Sequence, residues 1–401
     1  MIEDLWYGHS RGARVGRALL SPFAGVFGAA AALRCALYDH GLLKSVDLGA
    51  AVVSVGALSV GGAGKTPFVL WLVSRLRDLG YRPCVLTRGY GGTARSPLLL
   101  TSADALGSAQ VVADAGDEAV LIVARSGVPV AVAADRAAAA RLARQHCDPD
   151  IFVLDDGFQH RRLLRDLDIV LVGGAEAELR LLPAGPLRER PSALARADVV
   201  VTTAPRTSGQ AASTSAEAPR AVPSGASGPP AGAMLSMRLR ATGLVSSRAG
   251  AVAWQQTAGG PSGASGACAS PQIAGLADLS VLAGRRVAAV AGIAQPWRFM
   301  ATLEEAGAVV VETMFFRDHH AYEARDWRRI EDLAARVDMV VTTEKDMVKL
   351  AVLAGGAGWL SALRVEAEVE GGDALLERIA RFDRKRGATH HPPSFGGPAA
   401  W

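Results

Sequence analysis

The chain has 401 residues, half of them apolar, and a formal net charge of +4. That length has room for two ordinary domains with sizeable cores, and so small a net charge argues against a dedicated nucleic-acid-binding protein. The four cysteines are scattered and form no C-x-x-C pair. Neither a disulfide framework nor a zinc site is therefore indicated, and a reducing cytosol is the compartment that we expect.

The N-terminal segment carries an uncharged run of 16 residues, "ALLSPFAGVFGAAAAL", which is shorter than the ~20 residues of a membrane-spanning helix. Aromatic and basic residues flank this run: Trp6, Tyr7, Arg11, Arg14, Arg17 and Arg34. The combination suits a helix that lies in the membrane interface. A helix buried in the core accounts for the run equally well, and the residues alone leave both interpretations open.

The stretch "SVGGAGKTP" follows an apolar strand pattern, "AVVSVGAL", and precedes a helical pattern, "FVLWLVSRLRDLG". Glycines in such a position let backbone N–H groups close around an anion at a helix N-terminus. The stretch therefore predicts a nucleotide-binding loop. Its eight consecutive residues are Ser59, Val60, Gly61, Gly62, Ala63, Gly64, Lys65 and Thr66.

Two side chains of this loop have specific predicted roles. In phosphate-binding loops the lysine reaches the β- and γ-phosphates and the next hydroxyl ligates Mg²⁺, which assigns these roles to Lys65 and Thr66. Ser59 occupies a position where the general pattern G-x-x-x-x-G-K-[ST] has glycine. Serine is tolerable there if the backbone does not require a positive φ, because the remaining glycines can supply the curvature.

Beyond the loop, short valine-rich runs alternate with helical patterns. Strands are predicted in "RPCVLTRG", "GVPVAVA", "DIFVLDD", "LDIVLVG" and "ADVVVTT", with a helix in "RAAAARLARQ". Continuous apolar strands separated by helices indicate a parallel sheet with helices on both of its faces. Together with the glycine loop, this pattern predicts an α/β core similar to the P-loop NTPases over residues 46–205.

The composition changes after this core. Serine, glycine, alanine and proline dominate residues 206–271, for which we predict flexible linkers around short strands in "MLSMRLRATGLVSS". A second, smaller α/β domain is predicted over residues 272–382, from "RRVAAVAGI", "PWRFMATLEEAG", "AVVVETMFF" and "DMVVTT". Residues 383–401 are predicted to be a disordered tail.

Adjacent carboxylates end one of the predicted strands. In "IFVLDDGFQH" the apolar run leads to Asp155 and Asp156, as in a Walker-B element that places a carboxylate beside the metal of a nucleotide site. A strand followed by an Asp-Gly turn explains the same letters. The upstream glycine loop favours the metal-binding interpretation, and which of the two carboxylates lies closer to the metal stays open.

Two further groups of acidic and histidine side chains are explained by helix capping when only their spacing is considered. Asp117 and Glu118 in "DAGDEAVLI" open a helical stretch, where capping and the helix dipole favour carboxylates. Asp318, His319 and His320 in "RDHHAYEARD" fit a capping aspartate with flanking imidazoles. Neither group predicts a catalytic site by itself.

Eight strings in this order resemble one family, the tetraacyldisaccharide 4′-kinases, which are the lipid A 4′-kinases of Gram-negative bacteria. The strings are "SVGGAGKTP", "LTRGYGG", "AGDEAVLI", "LDDGFQHRRLLRDLDIVL", "LLPAGPLRE", "GIAQPWRF", "FFRDHHAY" and "TTEKDMVKL", and they run from Val55 to Leu350. The family has serine or threonine at the position of Ser59, so the departure from the general loop pattern is consistent with the resemblance.

The resemblance implies an enzyme that uses ATP and Mg²⁺ to phosphorylate the 4′-hydroxyl of a tetraacyl disaccharide 1-phosphate. It implies a peripheral or monotopic protein at the cytoplasmic face of the bacterial inner membrane, with a membrane-associated helix in residues 1–45. The implied partners are the glycolipid substrate and the inner-membrane surface, without nucleic acid and without an obligate protein partner.

The resemblance also assigns roles to individual residues. Asp117 aligns with the proposed catalytic carboxylate of the family and His319 with its histidine partner, and Lys65 is the third implied catalytic residue. The implied metal ligands are Thr66, Asp155 and Asp156. The further residues in active-site strings are Gln159, Arg188 and Glu189.

Two other function classes compete with a lipid kinase. A regulatory GTPase usually carries N/T-K-x-D after a strand, but in "TEKD" (Thr343 to Asp346) the lysine comes one position late, and a metallochaperone-type NTPase would want a cysteine or histidine cluster that the sequence lacks. A non-catalytic, membrane-bound nucleotide-binding protein fits the composition and leaves "DDGFQHRR" unexplained.

Overall fold

The computed structural model describes residues 2–8, 10–101, 108–173, 179–203, 233–247 and 276–385. Within the predicted linkers only residues 233–247 belong to this part of the chain, and residues 386–401 of the predicted tail lie outside it.

The described residues form ten α-helices and thirteen strands. The helices are α1 (Ile2–Tyr7), α2 (Arg11–Asp39), α3 (Lys65–Asp78), α4 (Ala109–Ala115), α5 (Asp117–Ser126), α6 (Arg136–Cys147), α7 (Pro296–Glu305), α8 (Ala324–Ala334), α9 (Glu344–Ala354) and α10 (Gly372–Lys385). The strands are β1 (Ala51–Ala57), β2 (Pro83–Thr87), β3 (Leu98–Leu100), β4 (Val130–Val132), β5 (Ile151–Asp155), β6 (Leu167–Gly173), β7 (Val199–Thr203), β8 (Ala233–Ser246), β9 (Leu276–Ala277), β10 (Arg286–Ala291), β11 (Val309–Phe315), β12 (Met339–Thr343) and β13 (Leu360–Glu370).

The described strands belong to one sheet in the order β11-β10-β12-β13-β8-β7-β6-β1-β5-β2-β4-β3, with β9 paired to β8. Most neighbours are parallel, and β3 with β4, β13 with β8 and β8 with β9 are antiparallel. The predicted parallel α/β core is therefore present, and the sheet continues without interruption into the C-terminal strands.

The first half of the sheet, β1 to β7, is covered on both faces. In β1, Val53 and Val55 pack toward α3 and α5 with Phe68 and Ile122, whereas Val52 packs toward α6 on the other face. A strand buried on both faces has no polar side to show, which explains its uninterrupted apolar sequence. The carboxyl end of β1 leads directly into the glycine loop.

The two long strands β8 and β13 connect the halves of the sheet. β8 pairs in parallel with β7 through residues 233–237 and antiparallel with β13 through residues 236–246. The segment "MLSMRLRATGLVSS", apart from Ser247 at its end, therefore lies in one strand of 14 residues, Ala233–Ser246. The second half, β10 to β13, also has helices on both faces, with α7 on one face and α8 and α9 on the other.

The C-terminal helix α10 returns to the first half of the sheet. Leu375, Leu376 and Ile379 belong to the same buried cluster as Phe68 of α3, and Arg378 Nη2 lies 2.7 Å from Asp198 Oδ1. Helix α10, the last helix of the predicted C-terminal domain, thus packs on the core of the first half of the sheet. The domain boundaries expected from composition remain a prediction.

Helix α2 is longer than the uncharged run suggested. It spans 29 residues because Arg17 and Arg34 lie within the helix rather than at its ends. Its large apolar side chains are exposed: Val15 59%, Leu19 70%, Phe23 64%, Val26 71% and Leu33 62%. A helix buried in the core is therefore the wrong interpretation. By length and composition alone α2 could cross a membrane, and 11% of its apolar window is buried in the protein.

Candidate active site

The glycine loop has the backbone geometry of an anion-binding turn. Gly61, Gly62 and Gly64 have φ of 74°, 69° and 77°, which are values that favour glycine. Ser59 is not among the described non-glycine residues with positive φ. The three glycines thus supply the curvature as predicted, and serine at this position costs no backbone strain.

Two other segments contact the loop. The segment of "LPAGPLRE" holds one side, because Val60 donates its backbone N–H to Pro186 at 2.9 Å and Arg188 donates its own to Leu58 at 2.8 Å. The second half of the protein closes on the other side. A Cβ added at Gly62 would lie 2.8 Å from Gln295 Nε2, so the side chain of Gln295 lies against the loop backbone.

Lys65 and Arg188 both contact Asp156. Lys65 Nζ lies 2.9 Å from Asp156 Oδ1 and Arg188 Nη1 lies 2.5 Å from Oδ2. Burial raises the pKa of this carboxyl, but the two cations outweigh it and bring the pKa to about 2. Asp156 also has φ of 54°, a backbone conformation that is costly for a residue with a Cβ and often occurs at functional sites. Lys65, Asp155, Asp156 and Arg188 are called the loop carboxylate group below.

Asp155 ends β5 and is buried, with 2% of its surface exposed. Its Oδ2 accepts a hydrogen bond from Thr87 Oγ1 at 3.4 Å. Burial, followed by the charges of Glu118 and Asp156, raises its pKa to about 7. A buried carboxylate beside further acidic groups is a position where a cation is favourable.

The donor set fits Mg²⁺, which binds through one or two carboxylates, a hydroxyl and substrate phosphates rather than through an all-protein cage. Thr66 is the second residue of α3 and half-buried, beside Lys65. Within the described part of the chain, no group of three or more His, Cys, Asp or Glu side chains is arranged to hold a metal by itself.

Gln159 and Glu189 lie at the edge of this group. Gln159 Nε2 donates to the carbonyl of Ala57 at 3.1 Å, and its Oε1 accepts from Arg188 at 3.4 Å. Glu189 points elsewhere: its carboxylate pairs with Arg196 at 2.9 Å and accepts from the thiol of Cys35 at 3.7 Å. The structure therefore places Gln159 in the loop carboxylate group and Glu189 against helix α2.

A cavity of about 420 Å³ separates α2 from these residues. Its walls include Phe27 and Arg34 from α2 and Gln159, Arg188 and Glu189 from the opposite side. The α2 wall is mostly apolar and also carries Arg34, and the opposite wall carries Arg188, which contacts Asp156. The cavity can therefore receive a molecule that has both an apolar and an anionic part.

Asp117 and His319 meet, although 202 residues separate them in the chain. Asp117 is the first residue of α5 and 4% exposed, and its Oδ1 lies 3.1 Å from His319 Nδ1. His319 has φ of 58° and its ring packs on that of Tyr90, with centroids 4.6 Å apart. The helix-dipole explanation of Asp117 also holds, because the carboxylate does lie in the first turn of a helix.

Two lysines of α9 complete this arrangement and were assigned no role from the sequence. Lys349 Nζ lies 2.9 Å from Asp117 Oδ2, and Lys345 Nζ lies 3.0 Å from His319 Nε2. The sequence did contain a signal for such a role. In "TTEKDMVKL" the two lysines are four residues apart and therefore lie on the same face of a helix, where two like charges are unfavourable unless acidic side chains face them. Asp117, His319, Lys345 and Lys349 are called the Asp117 cluster below.

The same helix excludes the guanine-reading interpretation of "TEKD". Asp346 is fully buried and accepts hydrogen bonds from the backbone N–H of Gly292 at 2.9 Å and from Thr343 Oγ1 at 2.8 Å. Its carboxylate is used inside the second half of the protein and is not presented to a base.

Asp117 is ionised in this environment. Burial favours the neutral carboxyl, but the hydrogen bond from His319 and the charges of Lys345 and Lys349 outweigh it and hold the pKa of Asp117 well below its ordinary value. An ionised carboxylate oxygen with a remaining lone pair can accept a proton from a hydroxyl group.

Glu118 links the Asp117 cluster to the loop carboxylate group. Its Oε1 lies 3.1 Å from Lys345 Nζ, and its charge contributes to the raised pKa of Asp155. Glu118, which follows Asp117 in the chain, thus connects the Asp117 cluster electrostatically to Asp155 beside the predicted phosphate-binding loop.

Comparisons with known proteins agree with this geometry. The family model described as Tetraacyldisaccharide-1-P 4′-kinase matches residues 16–382. The chain is 42% identical over 345 residues to the Tetraacyldisaccharide 4′-kinase of Syntrophus aciditrophicus, covering 83% of this chain and 84% of that protein. It is 42% identical over 387 residues to the Tetraacyldisaccharide 4′-kinase of Anaeromyxobacter dehalogenans strain 2CP-1, covering 94% and 93%.

A solved structure is similar over most of the chain. The crystal structure of the "apo" form of LpxK from Aquifex aeolicus in complex with ATP has a TM-score of 0.68 and 30% sequence identity, and it covers 91% of this chain and 98% of that chain. The predicted fold class, an α/β sheet with helices on both faces and one N-terminal apolar helix, is thereby confirmed.

Proposed function

This chain belongs to the tetraacyldisaccharide-1-P 4′-kinase family, and we propose from that premise that it transfers the γ-phosphate of ATP to the 4′-hydroxyl of a tetraacyl disaccharide 1-phosphate. The reaction is a step of lipid A biosynthesis. One observation carries the proposal: the ionised, buried Asp117 is held by side chains from both halves of the protein, and its neighbour Glu118 acts electrostatically on Asp155, which precedes the carboxylate that Lys65 contacts. A phosphate donor and a hydroxyl acceptor need the loop and the carboxylate side by side.

The glycine loop is the donor side of this reaction. Its backbone N–H groups and the N-terminus of α3 favour the phosphates of ATP, and Lys65 exchanges its contact with Asp156 for the β- and γ-phosphates. The similar LpxK structure contains ATP, which supports ATP as the nucleotide of this chain. Thr66, Asp155 and Asp156 would hold Mg²⁺, whose role when bound is to neutralise phosphate charge.

Asp117 is the acceptor side. Phosphoryl transfer depends mainly on positioning and charge neutralisation, because the transition state is loose and the hydroxyl becomes acidic late. Asp117 takes the 4′-hydroxyl proton at that stage. His319 and Lys349 occupy one position on each carboxylate oxygen and fix its orientation, which leaves the second lone pair of either oxygen for the substrate.

Helix α2 is the membrane-facing part of the protein. One face contacts the body from Ser21, which accepts from Arg180, to Asp39, which pairs with Arg161, a distance of about 27 Å along the helix. A helix that crossed the bilayer would carry this polar contact surface into the hydrocarbon, where it is costly. We therefore propose that α2 lies in the interface with its exposed apolar face toward the lipid.

This orientation of α2 explains how the substrate enters and on which side of the membrane the enzyme acts. The acyl chains of the substrate stay in the bilayer, and the disaccharide enters the cavity between α2 and Arg188. Because the nucleotide comes from the cytosol, the protein acts as a peripheral or monotopic enzyme at the cytoplasmic face of the inner membrane. Neither a nucleic acid nor an obligate protein partner is part of this mechanism.

Transfer of ³²P from γ-labelled ATP to a tetraacyl disaccharide 1-phosphate in detergent micelles tests the function. We expect label in the lipid that excess unlabelled GTP does not reduce and that Lys65→Ala abolishes. ATP hydrolysis without labelled lipid would contradict the acceptor and favour a nucleotide switch. A lipid that already carries a 4′-phosphate is the matched control, because it offers the same surface without the acceptor hydroxyl.

A further inference from the structure

Lys345 directs each of its N–H groups to a different acceptor. Its Nζ lies 3.1 Å from Glu118 Oε1, 3.4 Å from Asp318 Oδ1 and 3.0 Å from His319 Nε2. The side chain is 17% exposed. An ammonium group has three N–H donors and no acceptor, so the three contacts use its whole capacity.

The contact with His319 has a chemical consequence. Since Lys345 can only donate, His319 Nε2 must accept and carries no proton. The proton of a neutral imidazole then belongs on Nδ1, which faces the ionised Asp117 Oδ1 at 3.1 Å. A doubly protonated ring would place an N–H against the ammonium of Lys345.

We propose that Lys345 is a positioning residue that fixes His319 as the neutral tautomer with its proton on Nδ1, so that His319 donates to Asp117 and does not take a proton from it. The catalytic meaning of this tautomer rests on the proposed kinase function, but the tautomer itself does not.

The surroundings support a fixed ring and a charged lysine. Burial lowers the pKa of Lys345, but the carboxylates of Glu118, Asp117 and Asp318 outweigh it and raise the pKa above its ordinary value. The ring of His319 is held by Tyr90 on one side, and its backbone N–H donates to Gly292 at 3.2 Å. Lys349 occupies the other oxygen of Asp117 at 2.9 Å.

The tautomer decides where the substrate proton goes. As the acceptor oxygen forms its bond to the γ-phosphorus, the bond from that phosphorus to the bridging β–γ oxygen breaks and ADP leaves with the electron pair. The hydroxyl proton moves to a carboxylate oxygen of Asp117 and is released from there to water, not through His319, because Nδ1 of His319 already holds a proton. His319 orients Asp117 and is not a proton relay.

Nitrogen NMR of the histidine ring tests the tautomer directly. The chain has eight histidines, so ring-¹⁵N-labelled protein is compared with His319→Gln to assign the signal. For the full chain in detergent at neutral pH we expect a protonated Nδ1 and an unprotonated Nε2. A proton on Nε2, or on both nitrogens, would overturn the proposal without any further variant.

Variants of α9 add a matched comparison. Lys345→Met should release Nε2, shift the ring away from the Nδ1–H tautomer and lower kcat roughly 10²-fold, the lower end of what a general base contributes, with the KM for ATP unchanged. Lys345→Arg keeps only donors and should restore the tautomer. Lys349→Met removes the same charge from the same helix but does not touch Nε2, and should therefore leave the tautomer as it is.

The spectra of the two lysine variants and the transfer assay test different parts of the proposal. If Lys345→Met keeps the Nδ1–H tautomer, or if Lys349→Met removes it as completely, Lys345 does not fix the ring and the proposal fails. The spectra need no lipid acceptor, so a failed transfer assay would overturn the kinase function and leave the tautomer result standing. Successful transfer with a different tautomer would overturn this inference alone.

Discussion

The glycine loop takes its anion-binding backbone from one continuous stretch, Ser59 to Thr66, whereas the Asp117 cluster takes its side chains from α5, from the loop before α8 and from α9. In the loop, positive φ at three glycines and the start of α3 create the site. In the cluster, residues 202 positions apart must be brought within 3.1 Å. The backbone conformation of the loop is largely local, whereas the Asp117 cluster needs the whole fold.

The difference separates two kinds of chemistry. A nucleotide can bind wherever the loop and α3 form, since backbone donors and one lysine provide the contacts. In the proposed mechanism, proton acceptance from a substrate hydroxyl requires the second half of the protein to hold His319, Lys345 and Lys349 against Asp117. Binding and transfer should therefore respond differently to the same perturbation.

The largest difference between the effect on phosphate transfer and the effect on ATP binding is expected for Asp117→Asn. The amide keeps the shape of the side chain but cannot accept the proton as a carboxylate does, so we expect kcat to fall by about 10²–10⁴ with an unchanged Kd for ATP. Lys65→Met should weaken ATP binding as well as transfer. Transfer rates and nucleotide titrations on the same preparations check this, and an equal loss of both quantities in Asp117→Asn would refute its role as base.

A smaller effect is expected from the contacts that join the halves. Arg125 of α5 lies 2.9 Å from Glu344 of α9, with 13% and 14% of the side chains exposed, and burial raises the pKa of Glu344. Arg125→Met removes the nearest cation and leaves Glu344 with Arg364 at 3.8 Å and the backbone N–H of Val365 at 3.3 Å. We therefore expect a loss of about 1.5–3 kcal/mol in the free energy of unfolding, the range for a hydrogen bond to a charged group.

Urea unfolding measures this loss, with Arg141→Met, an exposed arginine on α6, as the matched control. Adding Glu344→Gln to Arg125→Met should recover most of the stability, because the buried charge is then absent. If the double variant is no more stable than Arg125→Met alone, the Arg125–Glu344 ion pair does not stabilise the contact between the two halves of the protein. ATP affinity should change little in either variant at temperatures where the protein is folded.

Helix α2 lines the cavity with Phe27 and Arg34, but Phe23 is not among the residues that line the cavity and should act on membrane binding. Phe23→Ser should reduce partitioning onto anionic phospholipid vesicles about 10-fold, since burying a large apolar side chain contributes roughly 1.5–3 kcal/mol. Val309→Ser, at a valine that is 50% exposed on β11, is the control. Unchanged partitioning of Phe23→Ser would contradict the membrane-facing assignment of α2.

The smallest effect is expected at Ser59. Because its backbone φ is not positive, serine adopts the loop conformation without strain. A glycine at this position would only raise the conformational entropy of the unfolded chain. Ser59→Gly should leave the Kd for ATP unchanged and lower the stability by roughly 0.5–1 kcal/mol. Tighter ATP binding in this variant would show that serine strains the loop.

The sequence allowed the loop to be predicted closely because its determinants are local. The glycines, the strand before them and the helix after them occur together in "AVVSVGALSVGGAGKTPFVL", and φ at the three glycines agrees with the expected turn. The Mg²⁺ ligands and the catalytic roles remain predictions, and the experiments above address the catalytic roles.

The contacts of the Asp117 cluster could not be predicted in the same way. From spacing alone, Asp117 is explained by the helix dipole and His319 by a capped turn, and the resemblance paired them without showing that they meet. Their contact depends on the long strands β8 and β13, which pair over residues 236–246 and 361–370 and connect the two halves of the sheet. Lys345 and Lys349 were overlooked because their partners lie on α5 and on the loop before α8.

A double-mutant cycle on kcat tests the central claim most directly, namely that side chains from both halves act as one catalytic unit. The variants are Asp117→Asn, Lys349→Met and the two combined, assayed for label transfer to the lipid with thermal unfolding measured alongside. If the carboxylate and the lysine act through each other, the combined variant should be no more than about 2-fold slower than Asp117→Asn. Losses that multiply would show two independent contributions and contradict the account.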